Sequence, residues 1–113
     1  MDQLLVQGLK VKTKIGVHAW EQQIEQLLLI DICILTNLQN SQDILANTID
    51  YANLCDLVTK SVENHSFNLI ETVATHVAAL IQENVNHQTV TVTINKPGAV
   101  GNANNIAVTI TIE

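Results

Sequence analysis

The chain has 113 residues, of which 47% are hydrophobic, and its formal net charge at pH 7 is −6. The length predicts one domain over residues 1–113, and the composition is typical of a globular protein rather than a disordered one. Since only five residues are Lys or Arg, binding to nucleic acid or to an anionic membrane surface is not expected.

Two strands and a connecting loop are predicted in the first third of the chain. Residues 4–15 form a long apolar pattern interrupted at Gly8, and residues 26–37 alternate over a second strand. The loop between these strands, residues 16–25, contains Glu21. The second strand is apolar on both faces, which is typical of a strand that is covered on both sides.

Two helices are predicted in the middle of the chain, after a polar irregular segment at residues 37–48. Residues 50–63 carry apolar side chains at helical spacing, and residues 68–85 carry a stronger apolar stripe. Asn68 fits the N-cap of the second helix, and Glu71, three residues later, fits the second position of a capping box.

The last two predicted strands, residues 89–94 and 106–112, flank a loop rich in Gly and Asn. The order ββααββ predicts an α+β fold, namely an antiparallel four-stranded sheet with two helices on one face. Because the helices cover only one face, the other apolar face and the two sheet edges require a partner. We therefore expect a homo-oligomer whose sheets join edge to edge and close into a β-barrel.

The remaining patterns favour a cytoplasmic protein without a metal site. Cys33 and Cys55 have no CxxC neighbour, so two buried free thiols in a reducing cytosol are expected. No basic-then-apolar signal peptide is recognisable, and the longest apolar run, residues 27–35, is interrupted by Asp31 and is too short to cross a bilayer. The four histidines show no metal-ligand spacing.

The most informative segment is residues 95–100, where Lys96 stands between a strand and a loop. Pro97 and Gly98 follow it and are typical turn residues, so a turn would hold the lysine backbone in place. From these residues alone, two interpretations stay open: a solvated lysine before a turn, or an ammonium group fixed at a strand end.

Four segments of the chain resemble the dihydroneopterin aldolase family of tunnelling-fold pterin enzymes. They occur in family order and at family-like spacings, and the match covers essentially the whole chain. The segments are residues 16–21 (GVHAWE), 50–52 (DYA), 69–74 (LIETVA) and 95–100 (NKPGAV), the last followed by residues 105–108 (NIAV). The resemblance implies a ring of four subunits around a sixteen-stranded barrel, two rings stacked as an octamer, and active sites between subunits.

The resemblance also implies a role for individual residues. Glu71 would anchor a pterin substrate through its carboxylate beside a backbone contact from Ile70, and Tyr51 would reach the substrate from an adjoining subunit. Glu21 would bind the hydroxyl groups of the substrate side chain or position water, and Lys96 would be the general acid/base. No cofactor is implied, because the 7,8-dihydropterin ring itself accepts the electrons of a retro-aldol cleavage.

Three functions remain open: an aldolase of folate biosynthesis, an epimerase acting on dihydroneopterin or its triphosphate, and a non-catalytic pterin-binding oligomer. The shortage of basic residues favours the aldolase over a triphosphate enzyme, and the joint presence of Lys96 and Glu21 argues against a non-catalytic role. Structural roles also remain open for Glu71 in a capping box and for Tyr51 at an interface. His18 departs from the family pattern, which often has tyrosine there.

Overall fold

Alternating apolar residues form two long paired strands in the first third of the chain, and two amphipathic helices cover one face of the sheet to which these strands belong. The computed structural model describes residues 1–113, and its fold is α+β. The elements in chain order are β1 (Asp2–Ile15), β2 (Gln26–Thr36), α1 (Tyr51–Glu63), β3 (Ser66–Phe67), α2 (Ile70–Asn84), β4 (Thr89–Pro97) and β5 (Asn105–Ile112). Short 3₁₀ helices occupy Ala19–Gln23 and Leu45–Asn47.

The sheet has five strands in the order β3-β1-β2-β4-β5, and the two helices lie on one of its faces. All pairings are antiparallel except that of β3, which runs parallel to β1 through Lys14↔Ser66 and Ile15↔Phe67. The prediction of two helices on one face is confirmed, whereas the prediction of four antiparallel strands is wrong in number. A strand of two residues is too short to carry a periodic signal.

The hydrophobic core lies between the helices and the sheet face that they cover. Every second side chain of β2 is buried there, as the alternating pattern predicts. On the opposite face, hereafter the outer face, the apolar side chains of β2 are half-buried or exposed. The fully buried core side chains include Leu28, Ile30, Ile32, Ile34, Val58, Val62, Val73, Val77, Ile81, Val90, Val92 and Ile94.

The interruption predicted at Gly8 is a β-bulge in β1. The register runs Val6↔Ile32 and then Leu9↔Ile30, so two residues of β1 lie opposite Asp31 alone. Gly8 has φ +68°, a left-handed conformation that glycine adopts without steric cost. Its N–H donates to Asp31 Oδ1 at 2.7 Å. The one acidic residue of β2 therefore satisfies the backbone group that the bulge releases.

The two helices begin in different ways. Asp50 caps α1 by accepting a hydrogen bond from the Asn53 N–H at 3.1 Å. At α2 the predicted capping box of Asn68 and Glu71 is wrong, because the backbone stays extended through Leu69 and the helix begins at Ile70. Glu71 is therefore free of a capping role and stands in the first turn of the helix.

Two smaller features complete the fold. Cys33 and Cys55 are free thiols but half-buried rather than buried, because Cys33 lies on the outer face and Cys55 at the margin of α1. Burial raises the pKa of the Cys55 thiol above its ordinary value. Neither helix is long and apolar enough to cross a membrane.

Candidate functional site

A cleft of about 670 Å³ opens on the helix-covered side at one end of the sheet. Three chain segments that are distant in sequence meet there: the loop after β1, the start of α2, and the β4–β5 loop. The polar lining includes Glu21, Glu71 and Lys96. The apolar lining includes Val17, Trp20, Leu69, Val100 and Ile106, all of which are more than a third exposed although they are large and hydrophobic.

Glu21 and Lys96 form an ion pair inside the cleft. Lys96 Nζ donates to Glu21 Oε2 at 3.0 Å, and only 15% and 8% of the two side chains are exposed. Lys96 stands near the end of β4, at a point where its strand is still paired with β5 through Lys96↔Ile106. The interpretation of Lys96 as a solvated lysine before a turn is therefore wrong.

The carboxylate of Glu21 is held from three directions. Besides Lys96, the Gln26 side-chain amide donates to Oε2 at 3.2 Å and the His18 N–H donates to Oε1 at 3.3 Å. These contacts lower the pKa of Glu21 to about 2; the hydrogen bond from Lys96 is the largest cause, and the hydrogen bond from Gln26 is the next. Glu21 is consequently an anion at neutral pH, although its side chain is buried.

The loop that carries Glu21 depends on Gly16. Gly16 has φ +136°, and a Cβ built on it would overlap the carboxyl group of Glu21. The Gln22 side-chain amide donates to Gly16 O at 2.7 Å and to Phe67 O at 2.9 Å, and the Gly16 N–H also donates to Phe67 O at 3.1 Å. These hydrogen bonds hold the loop against β3 at Gly16, the residue on which the Glu21 carboxyl packs.

Sequence reasoning assigned no role to three residues that build this part of the site, namely Gly16, Gln22 and Gln26. Gly16 offered a recognisable signal, because a glycine directly after a long strand often marks a close backbone approach. The two glutamines offered none, since a polar residue in a loop has no periodic pattern that distinguishes a structural hydrogen bond from exposure to solvent.

Glu71 and Ile70 also line the cleft, from the first turn of α2. Glu71 is exposed to the cleft and Ile70 is buried against the core. A carboxylate in the first turn of a helix is favoured by the helix dipole and remains free to accept hydrogen bonds from a ligand. The structure therefore brings Glu21, Glu71, Ile70 and Lys96 to one cavity.

Tyr51 is not among the cleft residues of its own chain. It occupies the first position of α1 and is 63% exposed. The predicted role of Tyr51 requires it to act on the cleft of another subunit, and its exposure makes the side chain available for such a contact.

His18 stands at the mouth of the cleft beside Trp20. The two rings are stacked, with centroids 6.2 Å apart and planes inclined by 8°. No group of three or more His, Cys, Asp and Glu side chains is arranged to hold a metal ion. The ionisable side chains that line the cleft are those of Glu21, Glu71, Lys96 and His18, and large apolar side chains lie beside them.

Comparison with known proteins gives a consistent result. A protein-family model described as FolB: Dihydroneopterin aldolase matches residues 4–111. The chain is 38% identical to dihydroneopterin aldolase of Escherichia coli over 112 residues, which is 97% of this chain and 92% of that protein. It is 34% identical to the Haemophilus influenzae enzyme, over 97% and 95% of the two chains.

A solved structure shows the same fold. The crystal structure of Escherichia coli dihydroneopterin aldolase in complex with neopterin superposes on this chain with a TM-score of 0.95. The two sequences are 37% identical in that comparison, which covers 100% of each chain.

Proposed function

Since the chain belongs to the dihydroneopterin aldolase family, we propose that it is an aldehyde-lyase that cleaves 7,8-dihydroneopterin in folate biosynthesis. The products are 6-hydroxymethyl-7,8-dihydropterin and glycolaldehyde. The observation that carries the proposal is the enclosed Lys96–Glu21 pair, 3.0 Å apart, in the cleft that also contains Glu71.

The reaction needs proton transfer next to an electron sink. Removal of the proton from the 2′-hydroxyl breaks the C1′–C2′ bond and releases C2′ as the carbonyl carbon of glycolaldehyde. The electron pair of that bond moves into the N5=C6 imine of the dihydropterin ring. Protonation of C1′ then restores the imine and gives the hydroxymethyl product, so a Schiff base on the enzyme is not needed.

Glu71 is suited to bind the ring of the substrate. A pterin presents an amino group and a ring N–H side by side, and one carboxylate can accept both hydrogen bonds. Ile70 contributes its backbone beside this contact, and the exposed apolar side chains of the cleft cover the two faces of the ring. Tyr51 of a neighbouring subunit adds a ring face and a hydroxyl group.

Lys96 and Glu21 act on the side chain of the substrate. Lys96 transfers the protons as general base and then as general acid: its amine accepts the proton of the 2′-hydroxyl, and the ammonium so formed protonates C1′. Its Nζ is the one lysine or arginine nitrogen that lines the cleft. Glu21 remains ionised and accepts hydrogen bonds from the substrate hydroxyls or from a water molecule. Its carboxylate also fixes Lys96 Nζ in place before the substrate arrives.

The proposed assembly is a homo-octamer of two stacked rings of four, in the cytoplasm, with each chain forming one domain. Two features support an assembly. Large apolar side chains are exposed around the cleft, and the outer face of the sheet is not covered by any element of the chain. Sedimentation of a monomer at micromolar concentration would contradict it.

An epimerase is the second candidate, since glycolaldehyde can re-add to the other face of the same intermediate. A cleft lined by two glutamates and one lysine is a poor site for a triphosphate, which favours dihydroneopterin itself as substrate. A non-catalytic pterin-binding oligomer would release no glycolaldehyde at all.

One assay separates these functions. The purified protein is incubated with 7,8-dihydroneopterin and, separately, with its triphosphate, with a metal chelator present, and the products are separated by chromatography. We expect 6-hydroxymethyl-7,8-dihydropterin and glycolaldehyde from the first substrate, with an unchanged rate in chelator. Borohydride added during turnover should not inactivate the enzyme, whereas trapping of a lysine adduct would contradict the proposal.

A further inference from the structure

We propose that Asp31 and Asn95 are positioning residues for Lys96, and that they act from the outer face of the sheet, opposite the cleft. The inference rests on the proposed role of Lys96. Asp31 interrupts the apolar pattern of β2, and Asn95 directly precedes Lys96 in β4. Neither residue lines the cleft.

Asn95 uses both ends of its side-chain amide. Its Nδ2 donates to Asp31 Oδ2 at 2.9 Å and to Leu29 O at 2.9 Å. Its Oδ1 accepts a hydrogen bond from Asn105 Nδ2 at 2.9 Å. One side chain of β4 is therefore tied to the neighbouring strand on each side, β2 and β5.

Asp31 extends this connection to a further strand. Its second oxygen, Oδ1, accepts the N–H of Gly8 at the bulge of β1. The series Gly8–Asp31–Asn95–Asn105 consequently joins β1, β2, β4 and β5 in one line across the outer face. A carboxylate between two N–H donors is held more firmly than a neutral acceptor would be.

The position of Asn95 explains why this line matters for Lys96. The ladder between β2 and β4 ends at the pair Leu29↔Asn95, so Lys96 and Pro97 have no partner in β2. Beyond Asn95 the strand is paired on one side only, with β5. The side chain of Asn95 therefore fixes the last point at which β4 is held from both sides.

Alternation along the strand transmits this restraint to the cleft. Consecutive residues of a strand point to opposite faces, so a fixed Asn95 on the outer face sets the direction of Lys96 on the cleft side. A displacement of about 1 Å at a catalytic group can cost about 100-fold in rate. Loss of the Asp31–Asn95 link is thus expected to lower turnover without removing a group that touches the substrate.

Thr93 supplies a matched control on the same face. It lies two residues before Asn95 in β4, and its hydroxyl is 2.8 Å from that of Thr109 in β5. Thr93 is flanked by paired residues on both sides of the strand. Thr93→Val therefore removes a cross-strand hydrogen bond of the outer face without releasing the strand end.

The test compares Asn95→Ala with Thr93→Val by kinetics and by NMR titration of the Glu21 carboxyl. We expect kcat to fall about tenfold to 100-fold in Asn95→Ala, with KM within about threefold, and to change less than about twofold in Thr93→Val. In Asn95→Ala the pKa of the Glu21 carboxyl should rise towards its ordinary value of 4.5, because Lys96 has moved away. In Thr93→Val this pKa should stay low.

An exchange of the two residues gives a rescue experiment. Asp31→Asn leaves an NH2 group facing either the Gly8 N–H or Asn95 Nδ2, and Asn95→Asp sets two carboxylates against each other, so each single change should lower kcat. The double variant restores a donor–acceptor pair in the reverse sense but places a carboxylate oxygen beside Leu29 O, so it should recover only part of the activity that Asn95→Asp loses. The proposal is overturned if Asn95→Ala matches Thr93→Val in both readouts, or if the double variant is no more active than Asn95→Asp alone.

The titration separates this proposal from the proposed function. An inactive wild-type protein would refute the aldolase reaction, but the Glu21 titration would still show whether Asn95 holds Lys96 in place.

Discussion

This molecule contains two clusters of titratable side chains, which differ in chemistry and in surroundings. The first is the Glu21–Lys96 pair of the cleft. The second lies between the helices, where Ser61 Oγ and His76 Nε2 are 2.7 Å apart and the rings of His65 and His76 are 4.9 Å apart. Burial, followed by the neighbouring His65, lowers the pKa of His76 below its ordinary value of 6.5.

The difference between the clusters shows what identifies a functional site. In the cleft the groups have opposite charges, are enclosed by apolar side chains, and face a cavity that can admit a ligand. The histidines are like groups that pack against Phe67, and they do not line the cleft. A shifted pKa therefore indicates a site only where geometry provides room for a substrate.

Lys96→Ala, a change in the cleft pair, should cause the largest loss of activity. We expect kcat to fall by about 10²–10⁴, which is the usual contribution of a general acid/base, while pterin binding changes little. Steady-state release of glycolaldehyde and a fluorescence titration with neopterin measure the two effects. Lys60→Ala, which removes only an exposed pair with Asp56, is the matched control and should leave both unchanged.

Gly16→Ala should be the next most damaging change to the cleft. The new Cβ would displace the carboxyl of Glu21, and the backbone at φ +136° is strained for alanine. We expect kcat to fall about tenfold or more, with a loss of about 1–3 kcal/mol in the free energy of unfolding. Gly101→Ala, where a Cβ meets open space and φ is ordinary, should have neither effect.

Glu21→Gln should change the acid stability of the protein. A carboxyl whose pKa is about 2 when folded and near 4.5 when unfolded stabilises the folded state above pH 4.5. That contribution is lost as the pH falls towards 2. Urea midpoints of the wild type and the variant should therefore differ most at neutral pH and converge between pH 4.5 and 2; a constant difference would contradict the ion pair.

His76→Gln should have the smallest effect, and it should make the protein less sensitive to acid rather than more so. The folded state resists protonation of His76, so the wild type loses stability as the pH falls below about 6.5. The variant should lose less in that range and should keep full activity at pH 7. His87→Asn, at an exposed histidine away from the helix contact, should follow the wild type in both respects.

Periodicity predicted the framework of the fold but not its shortest or irregular parts. The alternation of β2 and the stripe of α2 located those elements within a few residues. Asn68 and Glu71 have the right spacing for a capping box, yet the chain remains extended up to Leu69. Pairing of Phe67 with β1 decides that conformation, and such a tertiary contact has no local signal.

The site was predictable only in part for a similar reason. Glu21 and Lys96 are 75 residues apart, and no spacing rule relates them. The resemblance to a family identified both residues, whereas the glutamine hydrogen bonds that support Glu21 became visible only in three dimensions. Asp31 was conspicuous as an acid in an apolar strand, but its link to Asn95 depends on strand register.

A crystal structure of the protein with bound neopterin tests the central claim most directly. We expect the Glu71 carboxylate to accept hydrogen bonds from the amino group and the ring N–H of neopterin. We expect Lys96 Nζ to lie within about 3.2 Å of a hydroxyl of the neopterin side chain. A ligand bound away from Glu71, or Lys96 turned out of the cleft towards solvent, would contradict the account.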